Sequence, residues 1–413
     1  MEKNLTSGNV FKNIVYFSLP YLLSYFLQTL YGMADLFIIG RYEPVAATTA
    51  VSIGSQIMHM LTVMLVGLAM GATVSIGQSV GGGDRKGASK CIGNTVTLFM
   101  SLSLVLTALL LLSVRSIVSV MSTPAEAFDG TVKYLTVCFI GIPFITAYNI
   151  ISSIFRGLGD SKSPMYFIAA ACAANIGLDY LFIGALGLGP VGAALGTTLS
   201  QAFSVILSLI MIRRQSSGIR LSKSDLKPER TVMKRLLGIG VPIAAQDGLI
   251  QIAFIVITII ANKRGLNQAA AVGIVEKIIG FLFLVPSSML STVSALCAQN
   301  IGAHKEERAR LTLRYAIFIA AGFGLIVSIA IQFIAEPIVA LFTDVGAEGG
   351  AEVVRLGGQY LRGYILDCLF AGIHFCFSGY FCAIGRSELS FLHNITAVVL
   401  VRVPGAYLMS KWF

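Results

Sequence analysis

The chain has 413 residues, 56% hydrophobic and 12% charged, with 30 Lys and Arg against 20 Asp and Glu for a net charge of +10. A water-soluble domain carries roughly twice that charged fraction, so this composition, with a mean hydropathy of +0.82, excludes one and describes an integral membrane protein. The excess of positive charge does not point to nucleic acid, because of where the basic residues fall.

In chain order, apolar stretches of membrane length lie near residues 14 to 39, 51 to 78, 91 to 114, 131 to 155, 163 to 186 and 191 to 212. After a basic linker come 233 to 261, 269 to 298, 313 to 334, 357 to 381 and 388 to 410. Each can supply the ~20 residues a crossing helix needs, and the ~10-residue alternation of a membrane β-barrel is missing. The fold expected is all-α. The first stretch is too long for the core of a cleavable signal and is retained as the first helix. The seven cysteines lack the paired spacing of a metal or redox motif and read as small core residues.

With the N-terminus inside, twenty of the 30 basic residues fall on inner loops, eight of them between Arg213 and Arg235. Six fall on outer loops: Arg41, Arg115, Lys133, Lys263, Arg264 and Arg355. This bias predicts a cytoplasmic N-terminus and a cytoplasmic linker, 213–232, facing anionic lipid. The inner loop Gly81-Gly82-Gly83-Asp84-Arg85-Lys86 lacks the terminal Gly-Lys-Ser/Thr of a phosphate cradle and reads as a turn.

The two halves repeat. Pro20, Gln78, Gly81, Ala88, Tyr134, Leu135, Gly159 and Ser161 recur as Pro242, Gln299, Gly302, Ala309, Tyr360, Leu361, Gly385 and Ser387. Six spans per copy is an even number, so the lobes are related by a pseudo-two-fold axis along the membrane normal, as in transporters built from parallel repeats. The domains are then a first lobe, 1–212, and a second lobe, 233–413. By the repeat, Phe413 corresponds to Gly187, so the second lobe is expected to lack its twelfth helix and the chain to be a truncated form with eleven.

Polar residues inside spans are expensive and mark function. Gln28, Tyr31 and Asp35 share one face of the first span, Asn149 and Ser152 one face of the fourth, and Asn175 and Asp179 one face of the fifth; Thr197 and Thr198 begin the sixth. Their counterparts are apolar or small: Ile250 for Gln28, Ile257 for Asp35, Phe375 for Asn149, Val401 for Asn175 and Gly405 for Asp179. One lobe is thus expected to hold a polar pocket that the other lacks. Asp35 lies near the outer end of its span, where a helix-end carboxylate bonded to Tyr or Asn is the plainer alternative. In the second lobe Asp247 and Gln251 share a face, as do Asp367 and His374, while Glu276 and Lys277 are adjacent and need separate partners. Glu276 is a candidate substrate-binding carboxylate, with an internal ion pair as the alternative. His59 and His374 read as lone intramembrane histidines, core residues before proton relays.

On these residues the chain resembles the multidrug and toxic compound extrusion (MATE) family over its whole length. The resemblance rests on the pattern from Pro20 through Gln28 and Tyr31 to Asp35, on Asn175 and Asp179, on the Gln-X-X-Gly loops at Gln78 and Gln299, and on Arg156-Gly157-Leu158-Gly159-Asp160-Ser161, similar to the family's Arg-Gly-X-Gly-Asp segment. It implies the branch with an acidic pair in the N-terminal lobe. There the residues matching Asp35, Asn175, Asp179 and Thr197 bind the coupling cation, and those matching Gln28, Tyr31, Asn149 and Ser152 complete the pocket. The helix-seven Glu of the other bacterial branch finds only Gln251 and Asp247 here, which, like Asp367, leaves that substrate site open. The expectation is a monomeric antiporter of a bacterial inner membrane that imports H⁺ or Na⁺ and exports small amphipathic organic cations, with no cofactor, no enzymatic step and no nucleic-acid partner. A flippase for lipid-linked saccharides is the alternative, and would call for more helices and a basic cavity.

Overall fold

A computed structural model describes residues 4–214, 222–262, 265–343, 349–402, 404 and 407. All regular structure among them is helical. The first lobe comprises α1 (Val10–Tyr42), α2 (Val45–Gly81), α3 (Arg85–Val120), α4 (Ala125–Ile140), α5 (Ile142–Gly157), α6 (Lys162–Asp179), a π-helical segment (Tyr180–Ala185) and α7 (Gly189–Arg214). The second comprises α8 (Arg230–Asn262), α9 (Leu266–Leu282), α10 (Leu284–Gly302), α11 (Glu306–Ala340), α12 (Gly350–Tyr364), α13 (Leu366–Ala383), α14 (Ser387–Thr396) and a second π-helical segment (Ala397–Arg402). Among the described residues nine helices are long and apolar enough to cross a membrane, and ten once the bent pair α4–α5 is taken as one span. The eleventh expected span corresponds to the helix that begins at Ser387 and is described through Arg402. The expectation about the chain's end, and the counterpart Gly405, fall outside the described residues, as do linker residues 215–221.

Several spans are broken, which hydrophobicity alone does not reveal. The α4–α5 pair bends by 48° at Gly141, with Pro143 in the first turn of α5. A proline lacks the N–H that would continue the helix, so the bend falls where it removes least hydrogen bonding. The tenth expected span is divided at Ile365 between α12 and α13.

Pro20 and Pro242 lie inside α1 and α8. Each leaves the carbonyl four residues earlier without its helical donor, and lipid supplies none. For Pro242 that carbonyl belongs to Gly238, and the Ser387 hydroxyl donates to it at 3.1 Å. The repeat pair of glycines at the start of the preceding turn has a comparable logic: Gly159 (φ +88°) and Gly385 (φ +76°) both adopt the left-handed conformation that glycine takes without steric cost. Asp160 then caps α6, its Oδ1 accepting from the Lys162 and Ser163 amides at 2.9 and 3.1 Å.

The lobes meet along α2 and α10, and the repeat glutamines join them reciprocally. Gln78 Nε2 donates to the Ala383 carbonyl at 2.6 Å and Gln299 Nε2 to the Gly157 carbonyl at 3.0 Å. Gln78 Oε1 accepts from Arg235, and Gln299 Oε1 from the Leu5 amide at 3.1 Å. Beside them, a Cβ on Gly81 would collide with the Gln299 carbonyl and one on Gly302 with the Gln78 carbonyl. Glycine is required here for two backbones to touch. The molecule is therefore closed at the end that carries Leu5 and these loops.

The described part of the linker is strapped to the first lobe rather than loosely solvated. Lys90 pairs with Glu229 at 2.9 Å, Asn94 Oδ1 accepts from the Glu229 amide at 2.7 Å, and Thr97 donates to the Leu226 carbonyl at 2.8 Å. The outer surface exposes large apolar side chains such as Leu112, Phe318 and Phe333, as a lipid-facing surface does.

Candidate functional site

Four helices of the first lobe, α1, α5, α6 and α7, turn polar side chains toward one interior. Asp35 on α1 and Asp179 at the end of α6 are 3% and 0% exposed, and Asn175, one turn before Asp179, is 1% exposed. The side chains of Asp179, Asn175 and Thr197 all present themselves to the Asp35 carboxyl, with Thr197 Oγ1 donating to Asp35 Oδ2 at 3.2 Å. Asp35 is therefore no helix-end carboxylate: a neighbouring hydroxyl and a second acid enclose it.

Local structure explains how two acids come so close. At Asp179 the α-helix gives way to a π-helical segment, a widening that re-aims side chains and is frequent at functional sites. Opposite it on α7 stands Gly196, where a Cβ would collide with Asp179 Oδ1. Only a residue without a side chain leaves room for that carboxylate against the α7 backbone.

Buried polar atoms normally find partners, and this pocket departs from that rule. Among the described residues, Asp35 Oδ1, both Asp179 oxygens, both Asn175 amide atoms, Ser152 Oγ and Gln201 Oε1 have no well-formed hydrogen bond. Leaving such a group unsatisfied costs about 1–3 kcal/mol. Two carboxylates that face each other offer acceptors only, so a stable arrangement needs a proton or a metal cation between them. The donor set of carboxylate, amide and hydroxyl oxygens suits hard cations rather than soft ones; no cluster of three His, Cys, Asp or Glu fit for a metal occurs among the described residues.

The remaining pocket residues form a second layer. Tyr31 faces Asp35 and Tyr148 and reaches Gln201; Tyr148, 3% exposed, faces Ser152 and Gln28. Asn149 Nδ2 is engaged within its own helix. Its amide donates to the Ile145 carbonyl of its own helix at 2.8 Å, a back-bond open to Asn when the helix interior supplies no other acceptor. Tyr148 and Gln201 were not singled out from sequence. Gln201 was readable, since it stands one turn beyond Thr197 on the same face of α7, whereas Tyr148 looks like any aromatic core residue.

In the second lobe the expected residues do not converge. Asp247 lies partly buried on α8 against α2, where a Cβ on Gly67 would come within 2.7 Å of its Oδ2. Gln251 is half-buried one turn further on the same helix. Glu276 on α9 accepts from Thr258 Oγ1 of α8 at 3.0 Å, its neighbour Lys277 is exposed, and Asp367 is exposed in the first turn of α13. His59 is exposed on α2. His374 is not a lone histidine: its Nδ1 stands 2.7 Å from His393 Nδ1. Nor is this lobe free of buried polarity, because Gln246, Ser378, Ser390 and Asn394 join that pair in a network that the apolar repeat counterparts concealed.

Comparison with known proteins agrees with this architecture. The MatE family model matches residues 20–181 and 242–408. The probable multidrug resistance protein YpnP of Bacillus subtilis is 27% identical over 410 residues, spanning 99% of this chain and 90% of that protein. YoeA, another probable multidrug resistance protein of Bacillus subtilis, is 26% identical over 411 residues, 98% of this chain and 88% of that protein. The multidrug export protein MepA of Staphylococcus aureus is 24% identical over 404 residues, 98% and 88% of the two chains. A multidrug resistance MATE family transporter in an outward-facing conformation superimposes with a TM-score of 0.91 at 24% identity, covering 99% of this chain and 90% of that one. The two matched segments coincide with the two copies of the internal repeat, and the chain belongs to the MatE family.

Proposed function

We propose that this protein is a cation-coupled exporter of amphipathic, often cationic compounds, in which Asp35 and Asp179 hold the coupling H⁺ or Na⁺. The observation that carries the reading is the pair of buried carboxylates from α1 and α6 that present oxygens to each other, three of the four without a donor. Relatives that span nearly the whole chain are named multidrug resistance or export proteins, which supports drugs as cargo.

The cation and the cargo favour opposite arrangements of the lobes. The described arrangement is closed at the end joined by Gln78 and Gln299, which on the charge bias of the loops is the cytoplasmic end. A proton or Na⁺ entering the pocket replaces the mutual repulsion of the carboxylates with a shared ligand, and the helices around them can then tighten. Each charge returning down ~100 mV supplies about 2.3 kcal/mol, and the exported compound takes that energy through the change in lobe arrangement. The protein acts as a monomer in a bacterial inner membrane, since each chain carries both lobes.

Purified protein in liposomes tests this. Drug efflux should follow an imposed pH gradient or an imposed Na⁺ gradient, and Asp35→Asn should abolish it while leaving the protein folded. Drug movement indifferent to both gradients, or unaltered in the variant, would remove the basis for the proposal.

A further inference from the structure

We infer that His374 and His393 form a proton-binding site in the second lobe, distinct from the carboxylate pocket of the first. The two imidazoles come from α13 and α14, their ring centroids 4.6 Å apart and their planes inclined by 37°. The Nδ1–Nδ1 separation of 2.7 Å is a hydrogen-bond distance, so one nitrogen carries a proton and the other a lone pair.

The surrounding groups fix which is which. Asn394 Nδ2 lies 3.2 Å from His374 Nε2 and Ser378 Oγ lies 3.5 Å from the same nitrogen. An amide N–H can only donate, so His374 Nε2 is an acceptor in the neutral pair. The His374 proton then sits on Nδ1 and points at His393 Nδ1, and the His393 proton sits on Nε2. Both His374 nitrogens and His393 Nδ1 have a complementary partner in this state.

The same site also accommodates one added proton. Asn394 Oδ1 is buried and has no partner among the described residues. If the carboxamide turns over, Oδ1 meets His374 Nε2, which can take up a proton and donate it there while the Nδ1–H···Nδ1 bond to His393 persists. A second proton would have to occupy His393 Nδ1, break that bond and set two imidazolium rings in contact, so the pair, once it has taken one proton, opposes the next. Of the titratable groups on the helices packed around α13, His393 is the one that stands against His374. Among the described residues none of His59 on α2, Cys297 on α10, Arg314 and Glu336 on α11, Arg362 on α12 and Glu388 on α14 is hydrogen-bonded to either ring.

The pair is wired into the lobe. Ser378 Oγ, next to His374, accepts from Ser390 Oγ at 2.7 Å, and Ser390 Oγ also stands 2.7 Å from Gln246 Oε1. Gln246 belongs to α8, the helix whose Gly240 is pressed against the Leu68 carbonyl of α2. The proton site therefore connects through three side chains to a helix that packs on α2 across the lobe interface. It lies within two turns of Ser387, toward the closed end of the molecule, whereas Asp35 lies toward the opposite end of α1. An import path needs a group that binds protons near its exit, and this pair is placed for that role.

The chain has four histidines, so ¹⁵N-histidine spectra of the full protein in lipid nanodiscs resolve the question without any transport assay. The neutral wild-type protein should show one ring protonated at Nδ1 and another at Nε2, assigned to the pair by loss of signals in His374→Gln and His393→Gln. On acidification the pair should titrate in two steps, and His393→Gln should merge them into one, moving the His374 midpoint by about one pH unit or more. Both rings protonated at Nε2 in the neutral wild type would overturn the proposal, and so would a His374 midpoint identical in wild type and His393→Gln. If a variant does not fold, the wild-type tautomer pattern decides. Loss of coupling in Asp35→Asn bears on the carboxylate pocket and leaves this result untouched.

Discussion

In the first lobe Asp35 Oδ1 and both Asp179 oxygens are buried without donors; in the second, polar side chains from Gln246 to His393 are hydrogen-bonded in series, with Gln246 Nε2 and Asn394 Oδ1 left unpaired. Both lobes descend from one pattern of helices, down to the reciprocal glutamines that join them. The first keeps acceptors vacant at a four-helix junction, an arrangement that costs stability unless a cation completes it. The second has closed its polar groups into a chain that is nearly complete. On the proposed function, this asymmetry would place the response to cation occupancy in the first lobe.

The largest effect that could break this comparison is expected at Asp179→Asn. The amide keeps the shape of the side chain and fixes the site in a neutral state, so drug export driven by a cation gradient should fall to background while the folded yield and thermal transition stay near wild type. A variant that transports normally would show that the acidic pair of the first lobe has no role. A smaller effect is expected at Gly196→Ala, which pushes a methyl group into the Asp179 carboxylate. Overpacking of this kind costs about 1–3 kcal/mol. The concentration of H⁺ or Na⁺ needed for half-maximal export should rise by on the order of tenfold or more, with the maximal rate less affected; an unchanged dependence would mean the carboxylate does not need that space.

Gln78→Ala and Gln299→Ala sharpen the comparison from the symmetric side, because here the lobes are equivalent. Each loses two interlobe hydrogen bonds, worth about 1 kcal/mol apiece, so each should shift the equilibrium about tenfold or more toward the state open at that end. Spin-label distances between α2 and α10 in the two variants should lengthen to a similar degree. A response in one variant only would show that the closure is not reciprocal. The smallest effect is expected at Ser387→Ala, which leaves the Gly238 carbonyl without the donor that Pro242 removed. It should destabilise the detergent-solubilised protein by about 1 kcal/mol, and less in a Pro242→Ala background, where the backbone bond is restored. Equal losses in the two backgrounds would deny the link between proline and serine.

Much of this was legible in the sequence because lipid enforces strict rules. Spans of apolar residues have one structural solution, and the register between Pro20 and Pro242 or Gly159 and Gly385 aligned the lobes before any coordinates. Asp35, Asn175, Asp179 and Thr197 stood out for the same reason, as polar groups where lipid tolerates none. The breaks at Gly141 and Ile365 were less visible, since a bend leaves hydropathy unchanged, although Pro143 just after Gly141 was a readable sign. Tyr148 was missed because its ring is apolar and only its hydroxyl belongs to the pocket. Asn149 was placed in the pocket by helical periodicity, which gives the face but not the rotamer, and its amide turned back onto Ile145. His393 escaped notice because its partner sits 19 positions away on another helix, a pairing that no local spacing encodes.

The central claim is that Asp35 and Asp179 act as one cation site. It is tested most directly by comparing cation-driven drug flux and substrate-induced cation release in wild type, Asp35→Asn, Asp179→Asn and the double variant, all reconstituted at equal density. Groups that work as a unit are strongly non-additive. The account predicts that each single variant loses both signals and that the double variant is little worse than either. Cation-coupled flux persisting in the double variant, or losses that simply multiply from one variant to the next, would contradict it.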